Sequence, residues 1–249
     1  MKRFFVLVLI TVAILTALPA MAQKTYVNGI DPNYPPFAYV DEKTGQPTGF
    51  DVDSMNWIAK TMGFTVEHKP LAWDGIIPAL LARQIDMVCS GMSITPQRAR
   101  QVAFSEPYWQ VSRVFLVKAT SGLSPQSILK GSDIQLGVQR GTSEAAAIAQ
   151  EKRENQYGFT LRFYDSAPLA VEDVLNGRID AAFMDDLPAR DAIVKGRQVK
   201  IAGAHGEPDN FGVAMRKEDT DLRKTVNEGY RRLTADPYWK ELQIKYLSK

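Results

Sequence analysis

Asp86-Met87-Val88-Cys89-Ser90-Gly91-Met92-Ser93-Ile94-Thr95-Pro96-Gln97-Arg98 passes from strand through polar turn into helix. Residues 86–88 read as a short strand and residues 90–95 as a polar turn. Thr95 before Pro96 is a helix N-cap with proline at the first helical position, where its missing N–H costs nothing. The same strand–loop–helix rhythm continues on both sides. Upstream, strands are expected at 26–30 and from 65–66, with helices over 50–62 and 75–82. In the first of these helices Trp57, Ile58 and Met62 share a face, and Asp51 and Asp53 occupy the first turn, where the helix dipole favours acids. Downstream, strands are expected at 114–117, 136–138, 161–164, 181–184 and 211–215. Helices are expected over 143–152, 168–175, 187–194, 222–233 and 237–246, with Asp236 capping the last. Strands alternating with helices give an α/β protein with largely parallel sheets. Residues 121–132, polar and rich in Gly and Ser, form the strongest local break and open a second strand–helix series.

The composition excludes several classes. The chain has 249 residues, 45% hydrophobic and 23% charged, enough for real cores in one large domain or two lobes. Lys2 and Arg3 account for its whole formal charge of +2, so the remainder is neutral and is no default binder of nucleic acid. Cys89 is the only cysteine, which rules out an intramolecular disulfide and a thiolate metal cluster. His68 and His205 are the only histidines and leave little for a metal site; no metal or other cofactor is expected. Neither histidine is given a role.

The first 22 residues set the compartment. Lys2 and Arg3 precede an apolar run, residues 4–18, which ends at Pro19 and Ala20-Met21-Ala22. That is the pattern of a secretory signal cleaved after Ala22. A spanning helix needs roughly 20 apolar residues, and Pro19 and Gln23 cut this run short. No cysteine follows it for a lipid anchor. Export without disulfides suits a bacterial periplasm.

Six stretches together carry a resemblance: Tyr34-Pro35-Pro36-Phe37, Gly49-Phe50-Asp51-Val52-Asp53, Ser90 to Arg98, Phe104-Ser105-Glu106-Pro107-Tyr108, Gln139-Arg140-Gly141-Thr142-Ser143, and Gly177-Arg178-Ile179-Asp180-Ala181-Ala182 leading to Asp185. In this order and spacing the chain resembles the polar amino-acid-binding proteins of ABC transporters, extracellular solute-binding protein family 3. Ser54 departs from the signature, which usually carries an aliphatic residue there. The resemblance implies a type II periplasmic binding protein: two Rossmann-like α/β lobes joined by a two-strand hinge, with the ligand cleft between them. The first lobe would hold residues 23–111 and 204–249 and the second residues 112–203.

The resemblance also implies the site. Arg98 would hold the ligand carboxylate as a bidentate partner, helped by Ser93. From the other lobe, the free N–H groups of Gly141-Thr142-Ser143 at a helix start would face the same carboxylate. Asp185, at the end of an apolar strand, would pair with the ammonium, aided by Gly91 and Ser93, while Asp186 caps the helix behind it. Tyr34 and Trp73 are expected as aromatic walls, and Ser90 and Met92 complete the first-lobe loop. Asp31, Glu144 and Gln139 are expected at the side-chain end. Two carboxylates there favour a cationic ligand; an amide suits Asp31 as well. Arg140, close in sequence, could neutralise Glu144. Asp51, Asp53 and Cys89 read as structural, Trp57, Phe64 and Phe115 as core, and Arg100 as solvated.

Three function classes compete. The first is a monomeric periplasmic binding protein that captures a basic or amide amino acid and delivers it to an ABC permease. The second is an enzyme resembling cyclohexadienyl or arogenate dehydratases, whose catalytic glutamate aligns with Pro188, which cannot act as acid or base. No nucleophile elbow, P-loop or dinucleotide fingerprint is present, and no catalytic residue is assigned. The third is a sensing module for a separate membrane receptor.

Overall fold

Apolar strands and capped helices assemble here into two mixed five-stranded sheets. The computed structural model describes residues 23–248, so the expected signal segment lies outside the described residues. From Gln23 the chain forms β1 (Thr25–Ile30), a small antiparallel ribbon of β2 (Asn33–Tyr34), β3 (Ala38–Val40) and β4 (Pro47–Thr48), and helix α1 (Phe50–Met62). It continues through β5 (Thr65–Pro70), α2 (Ile76–Leu81), β6 (Met87–Val88), α3 (Pro96–Ala99), β7 (Ala103–Phe104) and β8 (Trp109–Val111). The middle of the chain holds β9 (Arg113–Lys118), α4 (Pro125–Lys130), β10 (Gln135–Gln139), α5 (Ser143–Asn155), β11 (Thr160–Tyr164), α6 (Ala167–Asn176), β12 (Ala181–Asp185), α7 (Asp186–Val194) and β13 (Val199–Ala204). It returns through β14 (Asp209–Phe211) and β15 (Ala214–Met215) to α8 (Thr220–Ala235) and α9 (Pro237–Leu242).

One lobe is built on the sheet β5-β1-β6-β15-β7 and the other on β11-β10-β12-β9-β13. Between them β8 and β14 pair as an antiparallel two-stranded link, Trp109 opposite Phe211 and Val111 opposite Asp209. The expectation of largely parallel sheets holds for four strands of each, which run in one direction. β15 in the first sheet and β9 in the second run antiparallel, because both belong to the crossovers that carry the chain between lobes.

The cores follow from the pattern. In β9, Val114 and Leu116 face one apolar cluster while Phe115 and Val117 face another, so a continuous apolar run marks a strand covered on both sides. In the first lobe Phe37, Phe50, Met55, Ile58 and Phe211 are fully buried, each contributing about 1.5–3 kcal/mol by its burial. α8 crosses α1 at Gly229, where a side chain would bring a carbon within 2.4 Å of Ile58. Ser54, the departure from the signature, is fully buried in α1 with its hydroxyl unpartnered.

Several sequence expectations are corrected. The strand expected over 211–215 is two strands: Phe211 ends the interlobe link and Ala214 enters the first sheet, with the Gly212 N–H turned to the Met92 carbonyl at 3.0 Å. The polar break at 121–132 holds helix α4, capped reciprocally by Ser124 and Ser127. The last helix is regular only to Leu242 and finishes in a wider π turn, Gln243–Leu247. No helix among the described residues is long and apolar enough to cross a membrane.

Candidate ligand-binding site

The first-lobe wall starts where β1 and β6 end side by side, the place where an open α/β sheet leaves a crevice. The Asp31 N–H donates to Ser90 Oγ at 3.0 Å, and the Asn33 N–H donates to Asp31 Oδ1 at 2.9 Å. Behind this loop lies Asp51. Its Oδ2 accepts the Gly91 N–H at 2.6 Å and the Tyr108 hydroxyl at 2.8 Å, and burial pushes its carboxyl up to about 7. Gly91 has φ +60°, and a side chain there would bring a carbon within 2.3 Å of the Tyr34 ring. Thr95 caps α3 by accepting the Arg98 N–H at 3.2 Å. That first turn aims the Arg98 side chain inward. Its guanidinium donates to the Ser93 carbonyl at 2.9 Å and, across the cleft, to the Gly141 carbonyl at 3.1 Å, and lies 5.5 Å from the Trp73 ring centre.

The second-lobe wall is made where strands turn into helices. Gln139 ends β10, and its side-chain amide donates to Asp31 Oδ2 across the cleft at 2.7 Å. Thr142 caps α5: its Oγ1 accepts the Ala145 N–H at 3.2 Å and donates to the Gln139 carbonyl at 2.8 Å. Ser143 Oγ lies 2.8 Å from Asp209 Oδ2 and 2.9 Å from Ser93 Oγ. One hydroxyl has one proton, and of the oxygens around Ser143 Oγ the carboxylate is the stronger acceptor. Asp185 ends β12; its Oδ2 accepts the Tyr34 hydroxyl at 2.5 Å.

These groups line one tight interlobe cavity. It is lined by Asp31, Tyr34, Trp73, Ser90, Gly91, Ser93, Arg98, Gln139, Thr142, Ser143, Glu144 and Asp185. Met92 is the one candidate not brought there: its side chain is fully buried in the apolar cluster with Ile76, Leu80 and Val102. The charges acting on Glu144 are Arg98 and Arg113, and its own charge acts on Asp185, whereas Asp31 is governed by its burial, Gln139 and the Asn33 N–H. Arg140 does not neutralise it; half exposed, it lies 3.6 Å from Asp165 and 3.9 Å from Asp74. Burial raises the carboxyls of Asp31, Glu144 and, most strongly, Asp185, and lowers the Arg98 guanidinium.

The capping role expected of Asp186 is also corrected. Asp185 holds the N-cap place of α7 without capping it, and Asp186 accepts the Ser112 N–H at 3.2 Å beside the interlobe link. The expected core residues Phe64 and Phe115 are buried, and Cys89 is sealed between the Asp51 carbonyl and Tyr230. His68 Nδ1 and Nε2 contact Asn28 and Asn56, and His205 contacts Glu151 at 2.7 Å, all away from the cavity. Two residues behind the cavity escaped the sequence reading. Arg113 donates to both oxygens of Asp209, at 2.7 and 2.6 Å, and so fixes the carboxylate that holds Ser143. An arginine opening an otherwise apolar strand was the available signal for Arg113; Asp209 gave none. Among the described residues no group of three His, Cys, Asp or Glu side chains is placed to hold a metal ion.

This architecture is shared with known proteins. An L-arginine-binding protein of Pseudomonas aeruginosa is 32% identical over 259 residues, covering 100% of this chain and 97% of that one. An L-cystine-binding protein of Escherichia coli is 30% identical, covering 89% and 82%. A histidine-binding periplasmic protein of Salmonella typhimurium is 31% identical, covering 92% and 90%. Among solved structures, an ancestral arginine-binding protein bound to arginine superposes with TM-score 0.83 at 31% identity, covering 91% and 99% of the two chains. An ancestral amino acid-binding protein described as a precursor of cyclohexadienyl dehydratase superposes with TM-score 0.82 at 32% identity, covering 90% and 96%. The model of the bacterial extracellular solute-binding proteins, family 3, matches residues 26–249, and with two lobes closing on a polar cavity the chain belongs to that family.

Proposed function

We propose that this protein is exported by a signal segment over residues 1–22 and works in the periplasm as a monomer. There it captures a basic L-amino acid, or in second place an amide one, and delivers it to an ABC permease. Arg98 and the N–H groups opening α5 hold the ligand carboxylate. Asp185, with the Gly91 carbonyl and the Ser93 hydroxyl, holds the ammonium. Tyr34 and Trp73 flank the side chain, and Asp31, braced by Ser90 and Gln139, receives its polar end. The lobes, 23–111 with 204–249 and 112–203, close about the link formed by β8 and β14, so the ligand shifts the population toward the closed form.

The charge balance of the cavity carries this reading. Asp31, Glu144 and Asp185 are each nine-tenths or more buried, and none forms an ion pair among the described residues, against one buried guanidinium. A basic amino acid brings one carboxylate for Arg98 and two cations for the acids, which offsets the cost of burying them. The relatives named for arginine and histidine support the same class. The enzymatic alternative loses its acid: Pro188 lies in α7 and lines a separate groove with Tyr39 and Met184, not the cavity.

A thermal-shift screen of the common amino acids plus ornithine tests the reading. Arginine, lysine, ornithine or histidine is expected to give the largest stabilisation, and Asp31→Asn to remove that preference. Stabilisation by glutamate, aspartate or aliphatic amino acids alone overturns it.

A further inference from the structure

Asp185 lines the cavity and leaves one of its two carboxylate oxygens unpartnered. Its Oδ2 is taken by the Tyr34 hydroxyl, but Oδ1 is buried with no hydrogen-bond partner, and the Trp73 indole N–H on the first-lobe wall is in the same condition. A buried, unpartnered carboxylate oxygen lining a cavity is a costly feature unless a donor arrives there.

Glu144 sharpens the problem. It lines the same cavity, is 5% exposed against 4% for Asp185, and its charge is the largest cause after burial that raises the Asp185 carboxyl. Its carboxylate is supported by its own backbone N–H, by the Thr142 hydroxyl, which also serves the Gln139 carbonyl, and by Ser143 at a long 3.3 Å, and Ser143 already has a better acceptor in Asp209. Arg113 is paired with both oxygens of Asp209, whereas Arg98 donates only to neutral backbone carbonyls and keeps its charge, so one guanidinium faces both carboxylates. The remaining groups add no positive charge. Asp209 is a further anion acting on Asp185, Tyr34 is a phenol held neutral by burial and these acids, and Asp51 lies behind Tyr34. Two carboxylates in one enclosed site that face a single guanidinium leave one negative charge uncompensated, which favours one of them holding a proton.

We propose that Glu144 and Asp185 share one proton in the cleft and that the ligand ammonium displaces it, so that capture of the amino acid releases a proton to solvent. The carboxyl O–H bond breaks, the proton passes to water, and the carboxylate left behind faces the ammonium; nothing is oxidised or reduced. The inference rests on the proposed capture of an amino acid in this cavity. Its consequence is an affinity that depends on pH. Where the unliganded pair holds its proton, each proton released makes binding about tenfold tighter per unit rise in pH. Above that range the affinity levels off. The protein thus loads more readily on the alkaline side and lets go on the acid side.

Calorimetric titration with L-arginine, in two buffers of different ionisation enthalpy, counts the protons. Release approaching one proton is expected for the wild type within the pair's titration range. In Glu144→Gln it is expected to fall close to zero, with an altered affinity and a flattened pH profile. Equal binding heats in the two buffers across that range overturn the proposal without recourse to any variant. Infrared spectroscopy of the unliganded protein reads the shared proton directly. A protonated-carboxyl band present in the wild type and missing from Glu144→Gln supports it, and identical spectra overturn it. If L-arginine does not bind, the proposed ligand class fails, and the infrared comparison still decides whether the proton is there.

Discussion

In the first lobe β1 and β6 lie side by side and end at Asp31 and the Cys89–Ser90 turn; in the second, β10 and β12 do the same and end at Gln139 and Asp185. Each pair is flanked by a parallel strand on one side, β5 or β11, and by an antiparallel one on the other, β15 or β9. The strand plan is common, yet the walls are made differently. The first lobe leaves its strands through long connections, the β2–β4 ribbon and the loop before α3, and braces them on the buried Asp51. The second passes almost at once into α5 and α7, so its wall is the start of helices. A loop held by one buried carboxylate and one left-handed glycine depends on charge state and on the space beside it. A wall made of helix starts rests on local backbone geometry and tolerates more.

The largest effect expected comes from removing the charge each wall presents. Arg98→Ala on the first and Asp185→Ala on the second should each cost roughly 2–5 kcal/mol of binding, because a ligand charge is then buried unpaired. That is about 30- to 5,000-fold in the dissociation constant measured by calorimetry. Both variants should still melt cooperatively. Unchanged affinity in either would mean that its wall holds no charged end of the ligand.

The first-lobe wall should also respond to pH through Asp51. Its carboxyl is held up to about 7 in the folded protein against an ordinary 3.8, so the folded state binds the extra proton between these values. Stability is therefore lost as pH rises through that window, by up to roughly 4 kcal/mol. In Asp51→Asn this part of the slope should vanish. Urea midpoints of the two proteins across the window measure the difference; parallel profiles would show that Asp51 does not titrate there.

Glycine substitutions set the two walls against each other at smaller amplitude. Gly91 and Gly141 both adopt positive φ, +60° and +78°, so alanine at either costs about 1–2 kcal/mol of strain. Only Gly91→Ala also drives a carbon into the Tyr34 ring, whereas at Gly141 the nearest atom is Asp74 Cα at 3.1 Å. Gly91→Ala should lose more affinity than Gly141→Ala; the reverse order would reverse the contrast between the walls. Smallest is Thr142→Ala, which removes the α5 cap at about 1 kcal/mol and should lower the melting temperature by a few degrees while changing affinity little.

Most of this architecture is legible in the chain. Thr95-Pro96 marks a helix start from local backbone chemistry alone, and the limits of α1 follow from its apolar face between Gly49 and Gly63. Short polar strands are not legible in this way. Asn33–Tyr34 and Pro47–Thr48 have no periodicity to detect and exist only because β3 pairs with both. The candidate site shows the same divide. Arg98 and Asp185 can be picked out from a capped helix and an apolar strand end, while Asp209 looks like any loop acid until Arg113 and Ser143 are seen to converge on it.

The sequence by itself determined what depends on neighbours along the chain: the capped helices, the apolar strands, the strand–helix alternation and the family to which they belong. Only the tertiary structure decided which groups share the cavity. Gln139 meets Asp31, the charge of Glu144 acts on Arg98 and Asp185, and Met92 turns into the core. Helix caps and hydrophobic periodicity are local and are written in consecutive residues. The partners of a buried charge come from strands and helices far apart in the chain, so its environment is settled only when the two lobes meet.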